Sequence, residues 1–239
     1  RANAVVVPVN PMNRAEELKH YIIDPDARVA LTTGDLAGEL ARASDALEPQ
    51  LRLKHLIVTQ FTDAFDAAHA GDDAPPAAWN DWLTTPHAMP ALAGGVVHAW
   101  AEALAAIGDA PELLTGPCDL AILPYTSGTT GLPKGCMHTH ASIMHNAVSS
   151  SVWGGSTADN VTLAVVPMFH ITGMVSVMHA SIYSGATLVL MPRWDRDLAG
   201  RLISRYRVTH WTNIPTMVID LLGSPRFDEY NLSSLVYIG

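Results

Sequence analysis

From Val161 to Pro192 the chain carries no Asp, Glu, Lys or Arg, and this absence of charge restricts the fold more than any other feature of the sequence. Inside it, "ITGMVSVMHASIYSGATLVL" is about long enough to cross a bilayer. Pro167, Gly173, Gly185 and Pro192, however, cut the region into strand-, helix- and strand-sized pieces, and two histidines sit within it. A buried helix joining two buried parallel strands explains the pattern better than a membrane span.

The same rhythm runs through most of the chain. "AVVVPVN" (Ala4–Asn10) reads as a strand, and "NRAEELKHYI" as a helix with Asn13 as N-cap and Glu16 at the capping-box spacing. "ARVALTT" reads as strand, "DLAGELARAS" as helix and "KHLIVTQ" as strand. Phe61 to Gly95, rich in Asp, Ala and Pro, breaks the rhythm and reads as a surface excursion, placing a candidate subdivision near residues 61–97. "HAWAEALAAIG" (His98–Gly108) returns to helix. Beyond it "LAILPYT", "VTLAVVP", "ATLVLMP", "THWTN" and "SLVYIG" read as strands separated by helices "HASIMHNAVSSSVW", "ITGMVSVMHASIYSG", "DRDLAGRLISRY" and "IPTMVIDLLG". Repeated crossovers of this kind predict an α/β fold with largely parallel sheets flanked by helices.

Charge narrows the function. A formal net charge of −9 with no Lys/Arg cluster argues against nucleic acid as a partner. Charged residues are only 15% of the chain, which suggests a surface partly covered by another domain or a second subunit, so a homodimer is one expectation. Cys118 and Cys136 form no CxxC pair, and two reduced thiols suit a cytoplasmic setting. The opening residues read as a strand-like run and not as a secretory leader. His138, His140 and His145 lack the cysteine or carboxylate partner usual in a zinc site and read instead as histidines beside a phosphate site. Cys136 reads as a small packed residue with no general base to make it a nucleophile.

The chemistry concentrates in "YTSGTTGLPKG", Tyr125 to Gly135, directly after an apolar strand. In folds of this class ligands collect where strands end. The glycines allow successive N–H groups to turn inward. Thr126, Ser127, Thr129 and Thr130 add hydroxyls and Lys134 a positive charge, a donor set suited to a polyphosphate. It is not the G-x-x-x-x-G-K-[ST] loop, because Pro133 precedes the lysine and Gly135 follows it.

This string resembles the phosphate-loop signature of the acyl-adenylate-forming enzymes, which include acyl- and aryl-CoA ligases, peptide-synthetase adenylation domains and luciferases. "VVPMFHITGM" (Val165–Met174) is similar to that family's next core motif, "THWTNIPTM" (Thr209–Met217) to a segment near its acyl pocket, and Ala4–Thr32 to an early segment. The resemblance implies that a carboxylate attacks the α-phosphate of ATP to give acyl-AMP and pyrophosphate, after which a thiol, usually that of CoA, takes the acyl group. It implies that Thr126, Ser127, Gly128, Thr129, Thr130 and Gly131 hold the departing pyrophosphate with Lys134 assisting, and that Mg²⁺ bridges the phosphates with Thr126 as its protein ligand. It places His170 as the catalytic gate of the acyl pocket beside Phe169, with Trp211, Asn213 and Thr216 lining it. The implied substrate is a small-molecule, hydrophobic carboxylate.

Both ends of the chain read as cuts. The resemblance implies that residues 1–239 are a truncated N-terminal AMP-binding domain. It would lack the family's Tyr-Gly-x-Thr-Glu segment, its ribose-binding aspartate, the CoA site and the mobile C-terminal domain with the adenylating lysine. The fragment alone is therefore expected not to turn over. Three readings stay open: a CoA ligase for a fatty or aromatic acid, an adenylation module loading a carrier protein, and a non-catalytic phosphate- or partner-binding scaffold.

Overall fold

The computed structural model describes residues 3–64, 71, 74–106, 108–109, 111–126 and 131–239. In chain order the main elements are α1 (Ala15–Ile23), β1 (Val29–Thr33), α2 (Gly34–Asp45), β2 (His55–Thr59), α3 (Asn80–Thr84), β3 (Val96–Ala99) and α4 (Trp100–Ala105). Four short strands follow: β4 (Leu120–Ile122), β5 (Tyr125–Thr126), β6 (Lys134–Gly135) and β7 (His138–Thr139). Then come α5 (His140–Trp153), β8 (Val161–Ala164), a π-helical stretch (Thr172–His179) running into α6 (Ala180–Ser184), and β9 (Thr187–Leu190). The chain continues through α7 (Arg196–Tyr206), β10 (His210–Trp211), α8 (Pro215–Leu222) and β11 (Tyr237–Ile238). Among the described residues, no helix is long and apolar enough to cross a membrane.

These elements form two compact units, one of residues 1–70, 77–115 and 125–136 and the other of residues 71–76, 116–124 and 137–239. The first unit is built on a parallel sheet in the order β1-β2-β3. Alternation along β2 sends Leu56 and Val58 into a core shared with Leu18 and Ile22 of α1 and Ala37 and Ala41 of α2. The two alanines, one helical turn apart, present a shallow surface against which larger neighbours pack. The opposite face of the sheet leaves Val29, Leu31 and Val96 each more than half exposed.

Three sequence expectations change here. Ala4–Asn10 joins neither parallel sheet; Pro8 lacks the N–H that a ladder needs, and Val5 and Val6 are exposed rather than packed. Helix α1 starts after Arg14, not Asn13: the Glu17 carboxylate accepts from the Arg14 N–H at 2.8 Å, while Asn13 donates its own N–H to the Asn10 carbonyl at 3.0 Å. Val96–Ala99, half of it assigned to a helix from sequence, is the third strand of the sheet.

The second unit holds a four-stranded, wholly parallel sheet in the order β11-β10-β8-β9. The charge-free region supplies β8, the π-helical stretch, α6 and β9, a right-sized β-helix-β crossover with Leu163, Ala164, Val166 and Val177 buried. Helix α7 is amphipathic, burying Leu198, Leu202 and Ile203. It starts at Asp195, whose carboxylate accepts from the Leu198 N–H at 2.8 Å, and stops at Arg207 in a left-handed conformation with φ 50°. The run "LAILPYT" splits at Leu123–Pro124 into β4 and β5, and both pair antiparallel, β4 with β7 and β5 with β6.

Candidate active site

The hydroxyl- and glycine-rich segment joins the two strands of the β5–β6 pair in the first unit. Tyr125 faces Gly135 and Thr126 faces Lys134 across the ladder. A side chain at Gly135 would sit 3.1 Å from the Tyr125 ring, so glycine lets the ring lie across the base of the loop. Gly131 has a φ of 95°, a conformation that only glycine adopts without strain. Thr126 and Lys134 are exposed, and no carboxylate pairs with Lys134 among the described residues. Ser127, Gly128, Thr129 and Thr130 lie outside the described residues.

Helix α1 holds the base of this hairpin. The Tyr125 hydroxyl donates to the Asp24 carboxylate at 2.6 Å, and its ring packs on Tyr21 at 4.6 Å and edge-on to His20 at 5.6 Å. Burial and the Asp24 charge push the Tyr125 phenol well above its ordinary pKa, so it stays a neutral donor at physiological pH. On the other strand, His20 Nε2 lies 2.7 Å from the Pro133 carbonyl oxygen. A carbonyl only accepts, so Nε2 carries the proton. Sequence reasoning assigned no role to His20, Tyr21 or Asp24, which lie more than a hundred residues from the loop; only the position of Tyr125 inside the motif could have hinted at them.

The other candidate residues belong to the second unit, on the carboxyl edge of its sheet. The register aligns Leu163 with Trp211 and Trp211 with Ile238, so the segments leaving β8, β10 and β11 emerge side by side. Those segments carry Phe169 and His170, Asn213 and Thr216, and Gly239 respectively. The Asn213 N–H donates to the Gly239 carbonyl at 2.7 Å, and its side chain donates to the Trp211 carbonyl at 3.1 Å.

His170 is exposed rather than packed in the core, and Phe169 is half-buried. The Thr172 N–H donates to His170 Nδ1 at 3.3 Å, which leaves Nε2 as the protonated nitrogen. The turn that presents them is forced by Gly173: a side chain there would lie 2.3 Å from the Pro167 carbonyl oxygen. This close approach gives a physical reason for glycine three residues after the histidine. Trp211 is only 1% exposed and stacks face to face on Trp194 at 5.8 Å. Its Nε1–H is buried without a partner among the described residues. Trp194 in turn donates to Asp220 at 2.8 Å. Thr216 is exposed in the first turn of α8.

Other sequence candidates find quieter places. His138 lies in β7, and His140 and His145 in α5; among the described residues no three His, Cys, Asp or Glu side chains are grouped to hold a metal. Cys118 is exposed and Cys136 half-buried, both as free thiols.

The chain is 39% identical over 132 residues to 4-coumarate–CoA ligase 2 of Nicotiana tabacum, covering 53% of this chain and 24% of that one. To a long-chain-fatty-acid–CoA ligase of Bacillus subtilis it is 37% identical over 131 residues, covering 52% and 23%. The chain thus matches about a quarter of the length of these curated relatives. The solved structure of the luciferase-like enzyme from the mealworm Zophobas morio superposes with a TM-score of 0.71 at 21% identity, over 97% of this chain and 46% of that one, and shares the fold. A profile of the AMP-binding enzyme family matches residues 1–239 from end to end, and the chain belongs to that family.

Proposed function

We propose that the protein is the nucleotide-loading part of an AMP-forming carboxylate–CoA ligase. The observation that carries this reading is the hydroxyl- and glycine-rich sequence ending in a lysine that is exposed and has no carboxylate partner among the described residues, set on a short hairpin. In the reaction a carboxylate oxygen attacks the α-phosphorus of ATP, the bond from that phosphorus to the bridging oxygen breaks, and pyrophosphate leaves. The acyl carbonyl of the acyl-AMP is then attacked by a thiol, releasing AMP. Such transfer depends mainly on alignment and on neutralising charge on the leaving group. Lys134, the hydroxyls of Thr126, Ser127, Thr129 and Thr130, and backbone N–H groups through Gly131 would supply both to the β- and γ-phosphates.

Mg²⁺ fits this donor set as an ion held mainly by phosphate oxygens with the Thr126 hydroxyl as a protein ligand, since no carboxylate cluster stands by among the described residues. Its charge would add to that of Lys134 in neutralising the leaving group.

The carboxylate end belongs to the sheet edge of the second unit. His170 and Phe169 would border the acyl group, Asn213 and Thr216 would line it, and Trp211 would back the wall from inside. Two relatives of nearly equal similarity are named for an aromatic and a fatty acid, which supports a hydrophobic carboxylate. CoA is the named acceptor in both, which supports CoA over a carrier-bound thiol.

The test is the full-length protein with ATP, Mg²⁺ and CoA against a panel of aromatic, fatty and short polar acids, measuring pyrophosphate release and thioester. Hydrophobic acids should stimulate both. Absence of any carboxylate-dependent pyrophosphate release would overturn the proposal, and release without thioester to CoA would move the acceptor to a carrier protein.

A further inference from the structure

The phosphate hairpin is too short to hold its own shape. Each of β5 and β6 is two residues long, and an isolated pair of strands is at best marginal in water. What orients Lys134 must therefore come from outside the hairpin. Helix α1 is built to supply it. Leu18 and Ile22, one turn apart, are buried in the unit's core, which fixes the helix against the sheet. His20 and Tyr21 lie off that buried stripe, Asp24 caps the end of the helix, and these three meet the hairpin: Asp24 and Tyr21 through Tyr125 on β5, His20 through Pro133 just before β6.

The His20 contact is the more telling one. The Pro133 carbonyl and the Lys134 N–H belong to one planar peptide unit, so holding that oxygen also sets the direction in which Lys134 leaves the chain. Proline at 133 already restricts φ on the near side of this peptide. The remaining freedom is rotation of the 133–134 peptide plane, which a hydrogen bond at 2.7 Å removes.

We propose that His20 is a positioning residue for the phosphate loop: its Nε2–H holds the peptide between Pro133 and Lys134 so that the lysine ammonium is pre-aimed at the β- and γ-phosphates. This rests on the reading above that the loop takes the triphosphate. His20 does not touch the nucleotide; it acts through Pro133 and Lys134.

The experiment compares His20→Ala, His20→Gln and Lys134→Ala in the full-length protein by carboxylate-dependent ATP–pyrophosphate exchange, with pyrophosphate–Mg²⁺ binding by calorimetry as a second readout. Loss of one hydrogen bond that pre-orders a charged contact should raise the KM for ATP about tenfold in His20→Ala and weaken pyrophosphate binding by a similar factor. The KM for the carboxylate should stay within about twofold, and the glutamine amide, still a donor, should restore ATP binding to within about threefold of the parent. A merely structural role would instead lower the melting temperature and move both KM values together, or leave glutamine as poor as alanine; either result overturns the inference. If Lys134→Ala is impaired while His20→Ala is not, the positioning role fails and the proposed function stands. If the parent protein shows no exchange, the proposed function fails, and pyrophosphate binding decides the role of His20: an unchanged affinity in His20→Ala, or no binding by the parent, overturns it.

Discussion

The two regions that carry the candidate chemistry are held in place by different physics. The β5–β6 hairpin of the first unit depends on a few polar and aromatic side chains from α1 and its C-cap, with the Tyr125–Asp24 and His20–Pro133 contacts at its centre. The sheet edge of the second unit is continuous with buried core: Trp211 is sealed in, and Gly173 lies against the backbone of Pro167. On the proposed function, a loop that adapts to a nucleotide is tuned by a few hydrogen bonds, whereas a wall for the acyl group is an extension of packing. Substitutions in the two regions should therefore fail in different ways.

The largest expected effect is on the sheet edge. Trp211→Ala removes a fully buried ring and should cost about 3–5 kcal/mol of stability. Chemical denaturation should show this, with most of the loss visible before any change specific to ATP. Gly173→Ala comes next: a Cβ driven into the Pro167 carbonyl should cost about 2–3 kcal/mol and displace His170, so both the denaturation midpoint and the KM for the carboxylate should move. If Gly173→Ala were as stable as the parent, the turn would be softer than the close approach implies, and the contrast would weaken.

Effects at the hairpin should be smaller and aimed at the nucleotide. Tyr125→Phe deletes an exposed hydrogen bond to a carboxylate and should raise the KM for ATP roughly fivefold with little loss of stability. A large fall in melting temperature would show that the hairpin base is core after all. The smallest effect is a pH dependence in the second unit, at the start of α7. Hydrogen bonds from Ser224, at 2.6 Å, and from Tyr230, at 2.8 Å, hold the Asp197 carboxyl below its ordinary value of 3.8. A depressed carboxylate contributes stability that is complete above that value and is lost as pH falls through the lower folded-state pKa. Asp197→Asn should accordingly flatten the acid limb of a stability–pH curve below about pH 4 while leaving ATP kinetics unchanged.

How much of this could be read in advance depended on how local the cause was. The crossover from Val161 to Leu190 was legible because the charges are missing within the elements themselves and the breaks at Pro167 and Gly185 lie directly between them. Helix α5 matches the run read for it residue for residue, with Thr139 accepting from the Ser142 N–H at 3.2 Å as its cap. By contrast, Val96–Ala99 became a strand through pairing with β2, some forty residues earlier, and its own sequence blends into the helix that follows. The antiparallel pairs β4–β7 and β5–β6 were hidden because strands of two or three residues leave no period to detect. The grip of His20 on Pro133 could not be seen at all, since nothing in either segment specifies a partner across 113 residues. The loop itself was legible as a motif; its support was not.

The central claim is that this hairpin receives the triphosphate of a nucleotide. The most direct measurement is a crystal structure of the full-length protein grown with ATP. The account predicts density for the β- and γ-phosphates within hydrogen-bonding reach of Lys134 Nζ and the loop's hydroxyls and backbone N–H groups. Ordered nucleotide bound elsewhere, with the hairpin vacant, would contradict it.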